Sequence, residues 1–195
     1  MVEIGDVSLT YPLPRGGMTA ALDHVNARFE EGKISALIGP SGCGKTSLIR
    51  IMAGLLSPSK GKVLIGGGEV RGIRKGTAVI FQDYGLLPWK TVRANAELPL
   101  RIAGLKGRRE RAGALLGEFG LGGFEKRYPR ELSGGMKQRL AIVRAMAPEP
   151  ELLLMDEPFS SLDALSREDA QDFLLSVRRG RRLTVVMVTH SIEEA

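Results

Sequence analysis

Residues 34–46 read Ile-Ser-Ala-Leu-Ile-Gly-Pro-Ser-Gly-Cys-Gly-Lys-Thr. The first part is a short, continuous apolar run, the pattern of a strand buried on both faces. The second part fits Gly-x-x-x-x-Gly-Lys-Ser/Thr from Gly39 to Thr46. A helix is expected from Lys45 to Ala53, ended by Gly54. A strand that stops, glycines that turn backbone N–H groups inward and a helix N-terminus together make an anion cradle. Lys45 is expected to reach the β- and γ-phosphate oxygens of a nucleotide, and the Thr46 hydroxyl to hold Mg²⁺. Gly39, Pro40, Ser41, Gly42, Cys43, Gly44 and Ser47 complete the loop. Cys43 is a small loop residue, with no His or Asp nearby in sequence to activate it.

A cradle of this kind needs an acid at the end of another buried strand. Residues 152–158, Leu-Leu-Leu-Met-Asp-Glu-Pro, supply it. Asp156 is placed to bind Mg²⁺ directly or through water. Glu157 is placed to orient, or take a proton from, the water that attacks the γ-phosphate. The bland reading is a pair of loop carboxylates capping the next helix. Residues 131–139, Glu-Leu-Ser-Gly-Gly-Met-Lys-Gln-Arg, open a second helix on a serine and two glycines, a second place built to hold an anion.

Alternating strand and helix patterns imply an α/β fold with a mainly parallel sheet and helices on both faces. Residues 1–11 and 22–32 alternate as strands, with Val25, Ala27 and Phe29 on one face. Further strands are expected at Lys62–Gly67, at Thr77–Phe81 and over 183–190. From about Thr91 to Gly122 the pattern is helical, in one stretch from Thr91 to Gly104 and another from Arg108 to Gly120, and no strand interrupts it, so it reads as a helical lobe inserted into the core. Pro99 is expected to kink or split its first helix. The chain reads as one domain, with core 1–90 and 147–195 and a helical subdomain at about 91–146.

The 195 residues carry a net charge of +6 and a single cysteine, which rules out an intrachain disulfide. The start is neither a signal nor a transit peptide, and no apolar run approaches the ~20 residues of a membrane-spanning helix. The basic clusters at 101–111 and 178–182 are expected on solvated faces, with a role near anionic headgroups as the alternative.

In order and approximate spacing, "GPSGCGKTS", "LSGGMKQR", "LLLMDEP", "SSLD" and "VTH" resemble those of ABC-type ATPases. The resemblance spans nearly the whole chain, and "LSGGM" is its most specific part. It implies a P-loop ATPase core with an N-terminal antiparallel β part and an inserted helical lobe. It also implies ATP and Mg²⁺ as ligands. Tyr11 resembles the aromatic that stacks on adenine, the alternative being an ordinary strand tyrosine. Gln82 resembles the glutamine that reaches Mg²⁺ and the attacking water, and His190 the histidine that hydrogen-bonds the γ-phosphate. Ser133, Gly134 and Gly135 match the signature, and Asp163 matches the aspartate that crosses the subunit interface. His24 matches no motif and is left structural.

In the family two chains pair head-to-tail, and the signature helix of one covers the phosphate held by the other. The two cradles would then be halves of two composite sites. Residues 81–98, "FQDYGLLPWKTVRANAEL", resemble nitrate/sulfonate/taurine-type importer ATPases, with thiamine-precursor importers similar. That implies a membrane permease held near Tyr84, Leu86, Leu87, Pro88 and Trp89, a separate solute-binding protein and a place on the cytoplasmic face of the membrane. Trp89 as a core residue is the alternative. No nucleic acid partner is expected. Family members usually continue well past the histidine, whereas this sequence stops at Ala195, so a C-terminal part of the family domain is expected to be missing. Two other readings stay open: an ABC ATPase acting on DNA or ribosomes, and a remnant that binds ATP without turnover. Intact Lys45, Gln82, Asp156, Glu157 and His190 oppose the last.

Overall fold

The computed structural model describes residues 1–14, 16–160, 162–178 and 182–194. Part of the basic cluster at 178–182, Ser161 of the "SSLD" motif and Ala195 lie outside the described residues. Two sheets and a helical layer build the fold. Strands β1 (Val2–Pro12), β2 (Met18–Phe29), β4 (Lys60–Ile65) and β5 (Gly68–Glu69) form an antiparallel sheet in the order β2-β1-β4-β5. Strands β3 (Ile34–Ile38), β6 (Thr77–Ile80), β7 (Leu152–Asp156) and β8 (Thr184–Thr189) form a parallel sheet in the order β3-β8-β7-β6.

The continuous apolar runs follow from the position of the parallel sheet between two cores. Along β7, Leu152 and Leu154 face one core and Leu153 and Met155 the other. Strand β8 divides in the same way, Val186 and Val188 against Val185 and Met187. The first core holds helix α1 (Lys45–Met52) between the two sheets, where Leu48, Ile49, Ile51 and Met52 meet the inner face of β1 and β2. Val25, Ala27 and Phe29 of β2 point into this core as the alternation predicts. The second core joins the parallel sheet to α2 (Val92–Ile102), α3 (Arg108–Glu118), α4 (Gly134–Met146) and α5 (Ala164–Arg178).

Of the kink or split expected at Pro99, the split does not occur, because α2 runs unbroken through it. Pro99 sits in the last turn, where the missing N–H costs only one helical bond. Fully buried Leu100 beside it anchors the turn to the core, and Ala103 N–H closes the end on the Pro99 carbonyl at 2.9 Å.

Candidate active site

The phosphate loop joins β3 to α1. Gly44 precedes the helix at φ +94°, and a Cβ there would lie 2.3 Å from the Ala21 carbonyl oxygen. Only glycine fits both the left-handed backbone and the close approach of β2. Lys45 Nζ donates to the Gly39 and Pro40 carbonyls, each at 2.7 Å, so the ammonium lies folded over the loop. Tyr11 reaches the same helix from β1, its hydroxyl 3.1 Å from Ser47 Oγ. Tyr11, Ser41, Gly42, Gly44, Lys45, Thr46, Ser47 and Glu157 line one cleft of about 390 Å³ with Thr19, Ala20 and Ala21 of β2.

A neighbouring cleft shares Thr46 and adds Arg50, Phe81, Gln82, Asp83 and Asp156. Thr46 Oγ1 donates to Asp156 Oδ1 at 3.0 Å, tying α1 to the end of β7. Burial pushes the Asp156 carboxyl up. The Thr46 hydrogen bond opposes that shift, and the Glu157 charge adds to it. Glu157 follows at φ +47°, a left-handed conformation uncommon for a residue with a side chain. Its N–H donates to the Val188 carbonyl at 2.9 Å, and its Oε2 lies 3.4 Å from His190 Nδ1. Gln82 Nε2 donates to Ser160 Oγ at 3.4 Å, and that hydroxyl donates to the Glu157 carbonyl at 3.0 Å. The ends of β6, β7 and β8 thus bring Gln82, Asp156, Glu157 and His190 to one edge of the parallel sheet, beside the loop that follows β3.

The second cradle stands apart. Ser133 caps α4, its Oγ accepting from Met136 N–H at 3.3 Å. A Cβ on Gly134 would sit 3.1 Å from Leu162 Cδ2, so the glycine permits close packing. Ser133 and Gly135 line a cleft with Met136, Arg139, Ser166, Asp169 and Ala170, none of which lines the first two clefts. Asp163 caps α5 beside it. Its Oδ1 accepts from Ser166 N–H at 3.0 Å and its Oδ2 from the Ser166 hydroxyl at 2.7 Å, and these bonds hold its carboxyl below the usual range.

Between the cradles lies the segment after Gln82. Tyr84 is buried, at 8% exposure, while Trp89 is 70% exposed, which excludes Trp89 as a core residue. Leu86 and Leu87 are half-buried and Pro88 is exposed. Two residues fix this segment, Arg144, which has no sequence signal, and Asn95, which the resemblance over 81–98 includes without giving it a role. Arg144 of α4 donates to the Tyr84 carbonyl at 2.7 Å and to the Gly85 carbonyl. Burial lowers its pKa, against the pull of Asp83. Fully buried Asn95 accepts from Leu87 N–H at 2.9 Å and donates to the Leu87, Lys90 and Thr91 carbonyls at 3.1 Å. Ser160 and Asn95 lie within motifs that the resemblance quotes, but the groups they bind, like those of Arg144, are main-chain groups or a single amide that spacing alone does not reveal.

A strand–Gly-rich-loop–helix cradle with a carboxylate pair at the end of another strand of the same parallel sheet, here one strand removed, defines a P-loop nucleotide-binding fold. Comparison with known proteins narrows this. The family model described as ABC transporter matches residues 22–160. The taurine import ATP-binding protein TauB of Sinorhizobium fredii is 47% identical over 199 residues, covering 100% of this chain and 74% of that protein. TauB of Yersinia pestis is 44% identical over 177 residues, covering 90% and 69%. An ABC transporter ATP-binding protein of Methanocaldococcus jannaschii is 47% identical over 182 residues, covering 92% and 68%. Among solved structures, the dimer of the bacterial ABC transporter cassette MJ0796 superposes with a TM-score of 0.87 at 33% identity, covering 100% of this chain and 90% of that one. A dimeric post-hydrolysis state of the same cassette, bound to ADP and Pi, superposes equally well. The chain belongs to the ABC transporter family as its ATP-binding cassette, an ATPase.

Proposed function

We propose that this ATPase powers solute import, as a head-to-tail homodimer bound to a separate membrane permease. The carrying observation is the division of the two cradles. One chain unites the phosphate loop with Asp156, Glu157, Gln82 and His190, while its signature residues open onto a different cleft. A second copy would supply Ser133, Gly134 and Gly135, with Asp163 at the junction, to the phosphate held at Gly39–Ser47. ATP would then bridge two positive helix ends, and hydrolysis would remove part of that bridge. The dimeric state of the MJ0796 cassette supports this assembly.

In this reading Tyr11 stacks on the base and Lys45 leaves the Gly39 and Pro40 carbonyls for the β- and γ-phosphates. Glu157 orients the attacking water and takes its proton, Gln82 aligns the water, and His190 donates to the γ-phosphate. Thr46, Asp156 and Gln82 fit Mg²⁺, since a hydroxyl, a buried carboxylate and an amide oxygen are hard donors converging on one cleft. Bound there, Mg²⁺ neutralises charge on the phosphates.

Import of a nitrate-, sulfonate- or taurine-like solute, or of a thiamine precursor, is supported by the taurine import relatives at 44% and 47% identity. A solute-binding protein and a position on the cytoplasmic membrane face belong to the same reading. Among the described residues no helix is long and apolar enough to cross a membrane. Exposed Trp89 and Pro88, with Leu86 and Leu87 behind them and Tyr84 buried beneath, form the permease contact, a helix-in-groove mode. The core at 1–90 and 147–195 and the lobe at 91–146 are the moving bodies.

The test is Glu157→Gln examined by light scattering with and without Mg-ATP. Turnover is expected to fall by about 10²–10⁴-fold while ATP still binds, and ATP is expected to convert monomer to dimer. Retained turnover, or a chain that binds ATP and stays monomeric, counts against the proposal.

A further inference from the structure

Glu194 carries a buried carboxylate that no motif claims. Its side chain is 3% exposed, and its two oxygens reach different elements. Oε2 accepts a short hydrogen bond from the Thr189 hydroxyl at the end of β8, at 2.5 Å. Oε1 lies 3.5 Å from Arg167 Nε in the first turn of α5, an ion pair without hydrogen-bond geometry. Each contact stands next to a site residue. Thr189 immediately precedes His190, and its hydroxyl also accepts from Ser191 N–H at 3.0 Å. Arg167 Nη2 donates to the Leu162 carbonyl at 3.2 Å, the residue before Asp163. Arg167 N–H donates to the Asp163 carbonyl at 2.9 Å.

We infer that Glu194 is a positioning residue that locks the His190 loop to the Asp163 turn. A buried charge with one hydrogen bond and one ion partner is costly to rearrange piecemeal. Removing either partner strands the other in a poorly solvated site, so the two loops keep one relative placement or lose it together. The catalytic consequence rests on the reading above. If His190 meets the phosphate held by its own chain and Asp163 meets the second copy, Glu194 ties cis phosphate contact to trans docking.

The test compares the full chain with Glu194→Gln, which keeps the shape and an acceptor for Thr189 but not the charge, and with Arg167→Gln. Amide hydrogen exchange on the nucleotide-free chain is read first. Glu194→Gln should raise exchange at least ~10-fold both at Ser191 and at Ser166 and Arg167, with β7 unchanged, and Arg167→Gln should do the same. The double variant should be no worse than either single one. A change confined to one loop, or effects that add, overturns the inference. Turnover is read second: Glu194→Gln should lower kcat about 10-fold with the KM for ATP within about twofold. A KM change alone, with kcat intact, also overturns it. The exchange result does not depend on dimer formation, so failure of ATP-driven dimerisation in Glu157→Gln would count against the transport reading and leave this lock decided by exchange.

Discussion

The Thr46 hydroxyl and the Asp156 carboxylate meet at 3.0 Å across the junction of α1 and β7. Burial already pushes the Asp156 carboxyl up, so the site holds a carboxylate at a cost that a bound cation would relieve. Thr46→Ala is therefore expected to raise the Mg²⁺ concentration for half-maximal turnover by about 10-fold or more. Thr46→Ser, which keeps the hydroxyl, should stay near the parent. Titration of turnover against Mg²⁺ at saturating ATP checks this, and an unchanged midpoint in Thr46→Ala would remove Thr46 from the metal site.

Gly44 gives a sharper steric case. Gly44→Ala places a Cβ where the structure has 2.3 Å to the Ala21 carbonyl, at φ +94°. Backbone strain of this kind costs about 1–3 kcal/mol. The loop must also shift away from β2, which opens the floor of the cleft shared with Thr19 and Ala20. Denaturant unfolding should show the lost stability, and nucleotide titration a matching loss of affinity. Gly42→Ala is the control: its φ is also positive at +81°, but nothing lies within 4 Å of the added Cβ. It should show the conformational strain without the clash, and so the smaller shift.

What could be read from the chain alone divides along a physical line. The phosphate loop, the Asp156–Glu157 pair and the signature serine are short, local patterns whose chemistry sits in side chains at fixed spacing. They are legible because strand, turn and helix each mark themselves. Arg144 and Glu194 are not, and Asn95 and Ser160 show only as members of motifs without a role, because all four bind main-chain groups or side chains brought close only by the fold. Arg144 reads as one more basic residue on a helix until its guanidinium is seen on the Tyr84 and Gly85 carbonyls. The split expected at Pro99 does not occur for a related reason. Its rule concerns one missing hydrogen bond, and tertiary packing at Leu100 outweighs that in a last turn. Trp89 stayed open because an apolar residue after a strand usually packs inward, and only the fold reveals that it does not.

Asn95 converts that exposed segment into a measurable prediction. Its buried amide accepts from one N–H and shares its two hydrogens among three carbonyls from Leu87 to Thr91. Asn95→Ala removes the partner of the Leu87 N–H and the Lys90 carbonyl, while the Leu87 and Thr91 carbonyls keep the Lys90 and Asn95 N–H groups, at about 1–3 kcal/mol for each group that water cannot reach. Global stability should fall by roughly that amount at least. Trp89 is the single tryptophan, so its fluorescence reports the segment directly. Its emission is expected to stay solvent-exposed in the variant while its anisotropy drops, as the pinned loop gains freedom. Unchanged anisotropy would mean that Asn95 supports α2 rather than the loop.

His24 supplies the pH dependence. It sits on β2 at φ +47°, opposite Asp6 at φ +54° on β1, where the pairing of the two strands shifts register. His24 Nδ1 donates to Asp6 Oδ1 at 2.6 Å, and Nε2 lies 3.8 Å from Asp23 Oδ1. The Asp6 hydrogen bond, then the charges of Asp6 and Asp23, raise the His24 pKa above 6.5, against slight desolvation and the charge of Lys60. A histidine whose folded pKa is raised binds its proton more tightly in the folded chain. Its contribution is therefore complete below the unfolded value of about 6.5 and is lost as pH rises through the higher folded value. The group is fully exposed, so the effect is small and screened by salt. Melting temperatures of the parent and of His24→Asn, an exchange that tolerates the left-handed backbone, should be compared between about pH 5 and 8. The parent's advantage should shrink as pH rises and flatten in high salt. An advantage that grows with pH would assign the pair no role and leave the bulged backbone, through the 3.0 Å bond from His24 N–H to Ser8 Oγ, as what His24 contributes.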